Sequence, residues 1–528
     1  MARCVLSILE IVILSTLVLA TRCSNYQDVF VDQNVYFTDA DCYARMTRVR
    51  ICAEHPGTII RHHDFENYPQ GTTPHTTAPL DYLILGLAVV LKPFTARSID
   101  LAGALVSPVF ALIGGWFLWW WSRLMKFRYR WILLVLYAVS PILVHGTALG
   151  RPDHQSLLML LITVGVCAEW SLRTDAGDTP ATTARWSVVS GISWAVALWV
   201  SFYEPSILLA LVIAAGLIKD RHSVFGLHRR TGWIVFGTII AVALLIERRI
   251  PFSWAIVRSD ALFANWSRAI GELAHVWPSN RLWFVWAGYM IAVAPVLIWF
   301  EASENRGATP RRIPAFVLLL LVATYGLTIW QARWGYFFVT VFALVLPSLL
   351  EFIRSRVAVW VAFTLSIFPL LQFWDARIWP NQTELAARVE RRNESHDLRE
   401  LAVMIRSDHK RAFLAPWWLC PAIAYWSGQP GVAGSSHEAL NGTGDVGRFF
   451  VSDDPATARE ILRQRQVEWV IAYDWDRVGP NSADLLGMRV SEHSTGRILD
   501  RTPASAPVYL VLSGQTRTAK LFRFADKL

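Results

Sequence analysis

A succession of apolar runs constrains this chain more than any other feature of its sequence. A first run at residues 5–20 is followed, much later, by ten more between residues 99 and 374. The ten later runs are 99–121, 131–149, 156–172, 186–203, 206–218, 233–246, 282–300, 315–330, 335–352 and 357–374. A membrane-spanning helix needs about 20 predominantly apolar residues, and lipid offers no partner for an open backbone group, so such runs must be helical. The pattern predicts a multi-pass α-helical membrane protein with about eleven transmembrane helices.

The composition excludes an ordinary soluble enzyme. Hydrophobic residues make up 54% of the chain and charged residues 17%, whereas soluble domains contain about 45–50% apolar and about 25% charged residues. The net charge of +9 has no long basic run interleaved with aromatic residues, so nucleic acid is not an expected partner. Basic residues in membrane proteins concentrate in cytoplasmic loops instead.

Loop charge also predicts the orientation. A cytoplasmic N-terminus places the basic cluster 123–130 inside and leaves the C-terminus outside. Residues 80–91 are apolar but too short to span, and counting them as a span would put that cluster on the outer face. We therefore expect a protein of the plasma (inner) membrane whose N-terminus is cytoplasmic and whose C-terminal part is external or periplasmic.

The hydropathy falls sharply after residue 374. The remaining residues combine strand-like runs at 467–473 and 508–512 with a helical pattern at 455–466. We predict two domains: a transmembrane catalytic domain at 1–374, which includes a large first external loop at 21–98, and an external α/β domain at 375–528.

Acidic residues recur at the predicted external ends of spans. Asp39 and Asp41 lie in TDADCYARMTR, Asp153 lies in GRPDHQ, and Glu272 lies in RAIGEL within the outer loop 251–280. Hard divalent cations bind oxygen ligands, and one or two carboxylates suffice when waters and substrate phosphates complete the shell. Solvated loop acids give the same pattern, so spacing alone leaves both interpretations open.

The order of these motifs resembles the GT-C membrane glycosyltransferases, and in particular the catalytic subunits of oligosaccharyltransferases. DADCY matches the family's D-x-D motif in the first external loop, and the resemblance implies that Asp41 is a catalytic carboxylate and a metal ligand, with Asp39 supporting it. Asp153 matches the first acid of the second motif and would also bind Mg²⁺ or Mn²⁺. Glu272 weakly resembles the catalytic glutamate of the family's mobile external loop.

The two residues after Asp153 are predicted to support it: His154 follows directly, and Gln155 stands where the family has its second acid.

Two further matches concern donor and acceptor. Arg333, in QARWGYFF, matches the late-span arginine that the family uses for the donor phosphates, although a snorkelling interfacial arginine is the competing interpretation. Trp417 and Trp418 match the two tryptophans of the acceptor-binding W-W-D motif. Leu419 stands in place of the motif's aspartate, which puts recognition of an N-x-S/T sequon in doubt.

The resemblance implies a metal-dependent, inverting enzyme that transfers a glycan from a polyprenyl-pyrophosphate carrier to an external acceptor, a protein or a glycan. A GT-C enzyme that uses a polyprenyl-monophosphate sugar to modify lipid, polysaccharide or protein hydroxyls is the alternative. A transporter is a third class, but it predicts charges near mid-membrane, whereas the acids here gather at external span ends. A non-catalytic scaffold leaves the acids unexplained.

The expected partners are the lipid-linked donor, the acceptor and the bilayer; the oligomeric state is left open.

Overall fold

The structure is a computed structural model that describes residues 2–174, 180–219, 221–250, 260–304 and 313–526. Residues 251–259 of the predicted outer loop lie outside the described residues. The helices are α1 Ala2–Arg22, α2 Tyr26–Val29, α3 Ala40–Glu54, α4 Pro79–Leu91, α5 Ser98–Leu124, α6 Arg130–Val139, α7 Pro141–Gly146, α8 His154–Arg173, α9 Pro180–Val200, α10 Tyr203–Lys219, α11 His222–Phe225, α12 Arg230–Glu247, α13 Ala261–Ala269, α14 Leu282–Ala287, α15 Met290–Glu304, α16 Ala315–Trp330, α17 Gly335–Leu350, α18 Arg356–Ser366, α19 Phe368–Ile378, α20 Gln382–Met404, α21 Cys420–Ser427, α22 Leu440–Val451, α23 Pro455–Gln464, α24 Trp475–Leu486 and α25 Thr495–Arg501. The strands are β1 Phe30–Val31, β2 Asn34–Val35, β3 Ala412–Leu414, β4 Val467–Tyr473, β5 Leu510–Gln515 and β6 Ala519–Phe524.

Several helices are long and apolar enough to cross a membrane. Within the described residues there are five: Cys4–Arg22, Ser98–Leu124, His154–Arg173, His222–Glu247 and Ala332–Leu350. The pair α18 and α19, bent by 43°, passes the same test when taken together. Shorter apolar helices include α4, α6 and α16. The multi-pass helical character is therefore confirmed, and the count of about eleven spans stays a prediction.

The chain packs into two compact units. Unit 1 consists of the described parts of Met1–Tyr26, Ala104–Ile250 and Gly271–Asn381. Unit 2 consists of the described parts of Gln27–Gly103, Pro251–Ile270 and Gln382–Leu528. The predicted domains 1–374 and 375–528 describe position relative to a membrane, which packing does not test, so that division stays a prediction.

A buried arginine holds a break between two helices of unit 1. Pro141 has no backbone N–H, so the carbonyl of Tyr137 lacks its usual helical donor. Fully buried Arg22 supplies one, donating from Nη2 to Tyr137 O at 2.8 Å, and a second guanidinium nitrogen donates to Ala138 O. Its Nε also donates to Thr147 Oγ1 at 3.2 Å. The end of α1 therefore fixes the break between α6 and α7, which leads directly into the second acidic motif.

Unit 2 contains the predicted α/β sheet, in the order β3-β4-β6-β5. The β3–β4 pair is parallel, and the β4–β6 and β6–β5 pairs are antiparallel. The predicted strand at 467–473 coincides with β4, and the helical pattern at 455–466 forms α23. Asp454 begins that helix by accepting hydrogen bonds from two of its first N–H groups, Ala456 N and Thr457 N, each at 3.0 Å.

A buried carboxyl group makes the stability of unit 2 depend on pH. Burial raises the pKa of Glu66 to about 7, outweighing the hydrogen bonds that Ser435 N and Oγ donate to Oε1 at 2.8 and 3.2 Å. Because this folded-state pKa lies above the ordinary 4.5, the stabilisation is complete below pH 4.5 and is lost as the pH rises through 7. Each pKa unit corresponds to about 1.4 kcal/mol, so we expect a loss of about 3 kcal/mol.

The measurement is the melting midpoint of the full chain in detergent at pH 5 and pH 8. We expect a lower midpoint at pH 8, and Glu66→Gln should remove most of the difference, because an amide does not titrate. The variant keeps His63, whose Nε2 lies 3.7 Å from Glu66 Oε2, so the comparison changes the carboxyl group alone. Glu54→Gln, at an exposed position of α3, is the matched control and should keep the difference. A Glu66→Gln variant with the wild-type pH dependence contradicts the assignment.

Candidate functional site

The second acidic motif forms the entry to α8 in unit 1. Gly150 adopts φ +74°, a conformation that glycine takes at little cost, and its N–H donates to Ala104 O at 2.9 Å. Asp153 then stands at the N-cap position of α8, but its side chain makes no cap hydrogen bond. Its Oδ1 lies 2.6 Å from His154 Nδ1 instead. A buried carboxylate is thus placed at the positive end of a 20-residue helix.

Arg151 links Asp153 to the outer-loop glutamate. Its Nη2 donates to Glu272 Oε1 at 2.7 Å and lies 3.9 Å from Asp153 Oδ2. Tyr336 Oη, at the start of α17, donates to the same Glu272 oxygen at 3.2 Å. His145 Nδ1 lies 2.8 Å from the Tyr336 hydroxyl. We call Arg151, Asp153, Glu272 and Tyr336 the carboxylate cluster; it brings together two of the three predicted acidic motifs.

Gln155, two residues after Asp153, carries a buried side-chain amide. Its side chain is 1% exposed, and its Nε2 donates to Glu204 Oε1 at 3.2 Å. Its Oε1 is buried and has no hydrogen-bond partner among the described residues. A buried acceptor without a donor is costly, and amide and carboxylate oxygens are ligands that hard divalent cations bind. The residues present therefore fit the predicted metal.

Arg333 forms an ion pair with Glu204, a fully buried acid on the first turn of α10. Ser201 Oγ donates to the other oxygen of Glu204 at 3.2 Å, and the Arg333 guanidinium lies over the Tyr203 ring at 5.6 Å. The Nε of Arg333 is buried and has no partner within the described ranges. Arg333 is therefore held in place by a buried countercharge.

The first acidic motif lies in unit 2, where its residues have different roles. Asp39 is the N-cap of α3, and its Oδ1 accepts a hydrogen bond from Cys42 N at 3.0 Å. Asp41, in the first turn, is exposed. Tyr43 is buried, and its hydroxyl accepts from Phe37 N at 3.1 Å. Within DADCY, Asp39 therefore caps helix α3, whereas the side chain of Asp41 is exposed to solvent.

The two predicted acceptor-binding tryptophans also differ. Trp417 is 8% exposed, and its indole N–H donates to Asn481 Oδ1 at 2.8 Å. Trp418 is half-buried and packs edge-to-face on Trp417 with ring centroids 5.7 Å apart. Trp417 therefore belongs mainly to the core of unit 2, and Trp418 is the member of the pair with an accessible face.

Unit 1 thus brings together Asp153, His154, Gln155, Glu272 and Arg333, whereas Asp39, Asp41, Trp417 and Trp418 belong to unit 2. The sequence did not assign Arg151, Glu204 or Tyr336 to the site. Each could have been selected from its position in the sequence. Arg151 lies two residues before Asp153, Tyr336 lies three residues after Arg333, and Glu204 interrupts an apolar stretch beside a proline.

No protein-family model matches the sequence, and no curated protein matches it. Solved structures do match in fold. The oligosaccharyltransferase of Archaeoglobus fulgidus, tethered to an acceptor peptide containing the NVT sequon, has a TM-score of 0.65 at 14% identity, covering 90% of this chain and 70% of that chain. The same enzyme in complex with zinc and sulfate has a TM-score of 0.64 at 14% identity, with coverage of 90% and 70%.

A second match spans almost the whole of both chains. ArnT from Cupriavidus metallidurans, bound to undecaprenyl phosphate, has a TM-score of 0.57 at 11% identity and covers 99% of this chain and 98% of that chain. The resemblance stated from the motifs is thereby confirmed at the level of fold. This chain has the GT-C fold that the oligosaccharyltransferase and ArnT structures share.

Proposed function

We propose that this protein is a membrane glycosyltransferase that transfers a glycan from a polyprenyl-pyrophosphate carrier to an external acceptor, with protein as the favoured acceptor. The observation that carries the proposal is the carboxylate cluster of unit 1, where Arg151 contacts both Asp153 and Glu272. The fold likeness to an oligosaccharyltransferase supports it. Charges held together at a helix N-terminus are costly unless they serve a ligand or one another.

We propose Asp41 and Asp153 as ligands of a divalent cation, Mg²⁺ or Mn²⁺. The assignment of Asp153 is supported by its neighbour Gln155, whose buried Oε1 has no donor in the described part of the chain. The assignment of Asp41 rests on its exposed position in the first turn of α3 and on the DADCY motif. When bound, such a cation offsets the negative charge that develops on a departing phosphate.

The remaining residues would bind and orient the reactants. In an inverting transfer, the acceptor's nitrogen or oxygen bonds to the sugar's anomeric carbon while the bond from that carbon to the phosphate oxygen breaks; the carrier leaves with the electron pair of that bond on its phosphate, and the acceptor's proton passes to solvent water. Arg333, positioned by Glu204, would bind the leaving phosphates through its fork of donors. Glu272 and Asp41 would orient the acceptor nucleophile, and Trp418 would offer a stacking face to it.

The proposal includes a topology. About eleven spans would embed residues 1–374 in the plasma membrane with the N-terminus in the cytoplasm, and residues 375–528 would lie outside. The donor's tail then lies in lipid, and its sugar faces the acceptor on the outer face.

A second candidate is a GT-C enzyme that uses a polyprenyl-monophosphate sugar. Two observations favour it: ArnT, crystallised with undecaprenyl phosphate, matches over 99% of this chain, and Leu419 replaces the aspartate of the sequon-binding motif. Its acceptor would be a lipid, polysaccharide or protein hydroxyl.

Donor turnover by the purified full-length protein tests the proposal and separates the two candidates. Undecaprenyl-pyrophosphate and undecaprenyl-monophosphate glycans are supplied in separate reactions with Mg²⁺ or Mn²⁺, together with peptide and lipid acceptors, and the released carrier is identified by mass spectrometry. We expect undecaprenyl pyrophosphate, and no release after chelation of the metal. Turnover of the monophosphate donor alone establishes the second candidate, and turnover of neither donor contradicts both.

A further inference from the structure

Three side chains of metal-binding type meet in unit 2, and none of the three has been given a role above. His75 belongs to the predicted first external loop at 21–98, and His437 and Glu438 lie in the 3-10 turn His437–Ala439, more than 360 positions later. One ligand atom from each of the three lies within 4.8 Å of the others. The imidazole rings of the two histidines are 5.2 Å apart between centroids and inclined by 32°.

Glu438 is the centre of this group. Its Oε1 accepts a hydrogen bond from the backbone N–H of His75 at 2.9 Å and lies 2.8 Å from His75 Nδ1. The same oxygen is 3.5 Å from His437 Nε2. Glu438 Oε1 therefore contacts both histidines of the group.

The second carboxylate oxygen of Glu438 indicates that this group binds a ligand. The Glu438 side chain is 8% exposed, and within the described ranges no group meets its buried Oε2 at hydrogen-bond geometry, although the Ser436 side chain also interacts with the carboxylate. A buried carboxylate oxygen without a donor costs free energy comparable to a lost charged hydrogen bond. Coordination of a cation removes that cost, and the two imidazoles beside it supply nitrogen ligands.

We propose that His75, His437 and Glu438 bind a first-row transition-metal cation, with Zn²⁺ as the best match. Two imidazole nitrogens and one carboxylate oxygen form a ligand set typical of zinc, with a fourth position left for water or another ligand. Magnesium prefers an all-oxygen shell, so this site differs in chemistry from the carboxylate site proposed for Mg²⁺ or Mn²⁺. The bound ion would join the first external segment to the C-terminal segment of unit 2.

Metal binding by the full-length protein in detergent tests the site. The protein is stripped with a chelator and dialysed against Zn²⁺, and zinc per chain is measured by atomic emission; Co²⁺ replaces zinc in a parallel sample for visible spectroscopy. We expect His437→Gln to bind one zinc ion fewer than wild type and to lose the spectrum of four-coordinate cobalt. His493→Gln, at an exposed position of the same unit, is the control and should bind as wild type does. Asp153→Asn should also keep this zinc.

Thermal stability provides an independent readout. A ligand that binds only the folded state raises the melting midpoint, so zinc should raise it in wild type and leave it unchanged in His437→Gln. Glu438→Gln, which keeps the shape of the side chain, should behave like His437→Gln. Equal zinc content and an equal zinc-induced shift in wild type and in folded His437→Gln overturn the proposal. If both variants fail to fold, wild-type protein whose midpoint does not respond to zinc overturns it as well.

Discussion

Asp41→Asn and Asp153→Asn are each expected to lower the rate of glycan transfer by a factor of about 100 or more, the usual effect of removing one group that stabilises transition-state charge. Asparagine keeps the size of the side chain but removes the negative charge that would hold the cation. Asp153 is the more buried of the two and already contacts His154. The measurement is carrier release under saturating donor and metal.

Two comparisons make this result specific. Because residues that act as one unit have non-additive effects, the double variant should lose little more than the slower single variant. Asp375→Asn, at an exposed position of α19, is the control and should transfer at the wild-type rate. Full activity in either single variant removes that residue from the site, and strictly multiplicative losses argue against a common cation.

The second large effect concerns stability. Asp81 on α4 is 1% exposed and pairs with two buried arginines of α3, through Arg45 Nη1 at 2.7 Å and Arg48 Nη2 at 2.5 Å. Asp81→Leu leaves two guanidinium groups buried without their countercharge, and breaking a buried pair in this way costs about 3–5 kcal/mol. We expect a large fall in the melting midpoint of the full chain and rapid proteolysis within residues 27–103.

An exposed ion pair of the same unit is the matched control. Asp64 pairs with Lys410 at 2.5 Å, and both side chains are well exposed, so Asp64→Asn should change the free energy of unfolding by less than about 1 kcal/mol. Equal effects of the two substitutions would show that burial of the Asp81 group does not govern its contribution. The variant with Met at positions 45 and 48 and Leu at 81 should recover much of the loss, because it leaves no buried charge unpaired.

Local patterns predicted the residues whose role depends on near neighbours. The helix at 455–466 and the strand at 467–473 follow from hydrophobic periodicity, and both were confirmed as α23 and β4. Asp39, which the motif assigned a supporting role, proved to cap α3, a function that its position before an amphipathic stretch already suggests. Trp417 shows the limit of such patterns, since a tryptophan in the core and one on a binding face have the same local sequence.

The partners in the long-range charge pairs could be identified only from the tertiary structure. Arg333 and Glu204 are 129 positions apart, and Arg151 and Glu272 are 121 apart. His75 and Glu438 are separated by 363 positions. Nothing in a local pattern says which acid an arginine or histidine will face, because the partner is chosen by how helices pack and by which side chains are removed from water together.

The sequence alone indicated that this chain is a membrane protein, that its acidic motifs occur in an order resembling that of GT-C enzymes, and that an α/β segment follows the apolar runs. These properties depend on transfer free energies and on periodicity, both of which are local sums along the chain. The packed structure was needed to show that Gln155 has a buried oxygen without a donor among the described residues, that Arg333 is held by Glu204, and that His75 meets Glu438. The charge of a side chain follows from its residue type, but its partner and its exposure to water are properties of the packed chain.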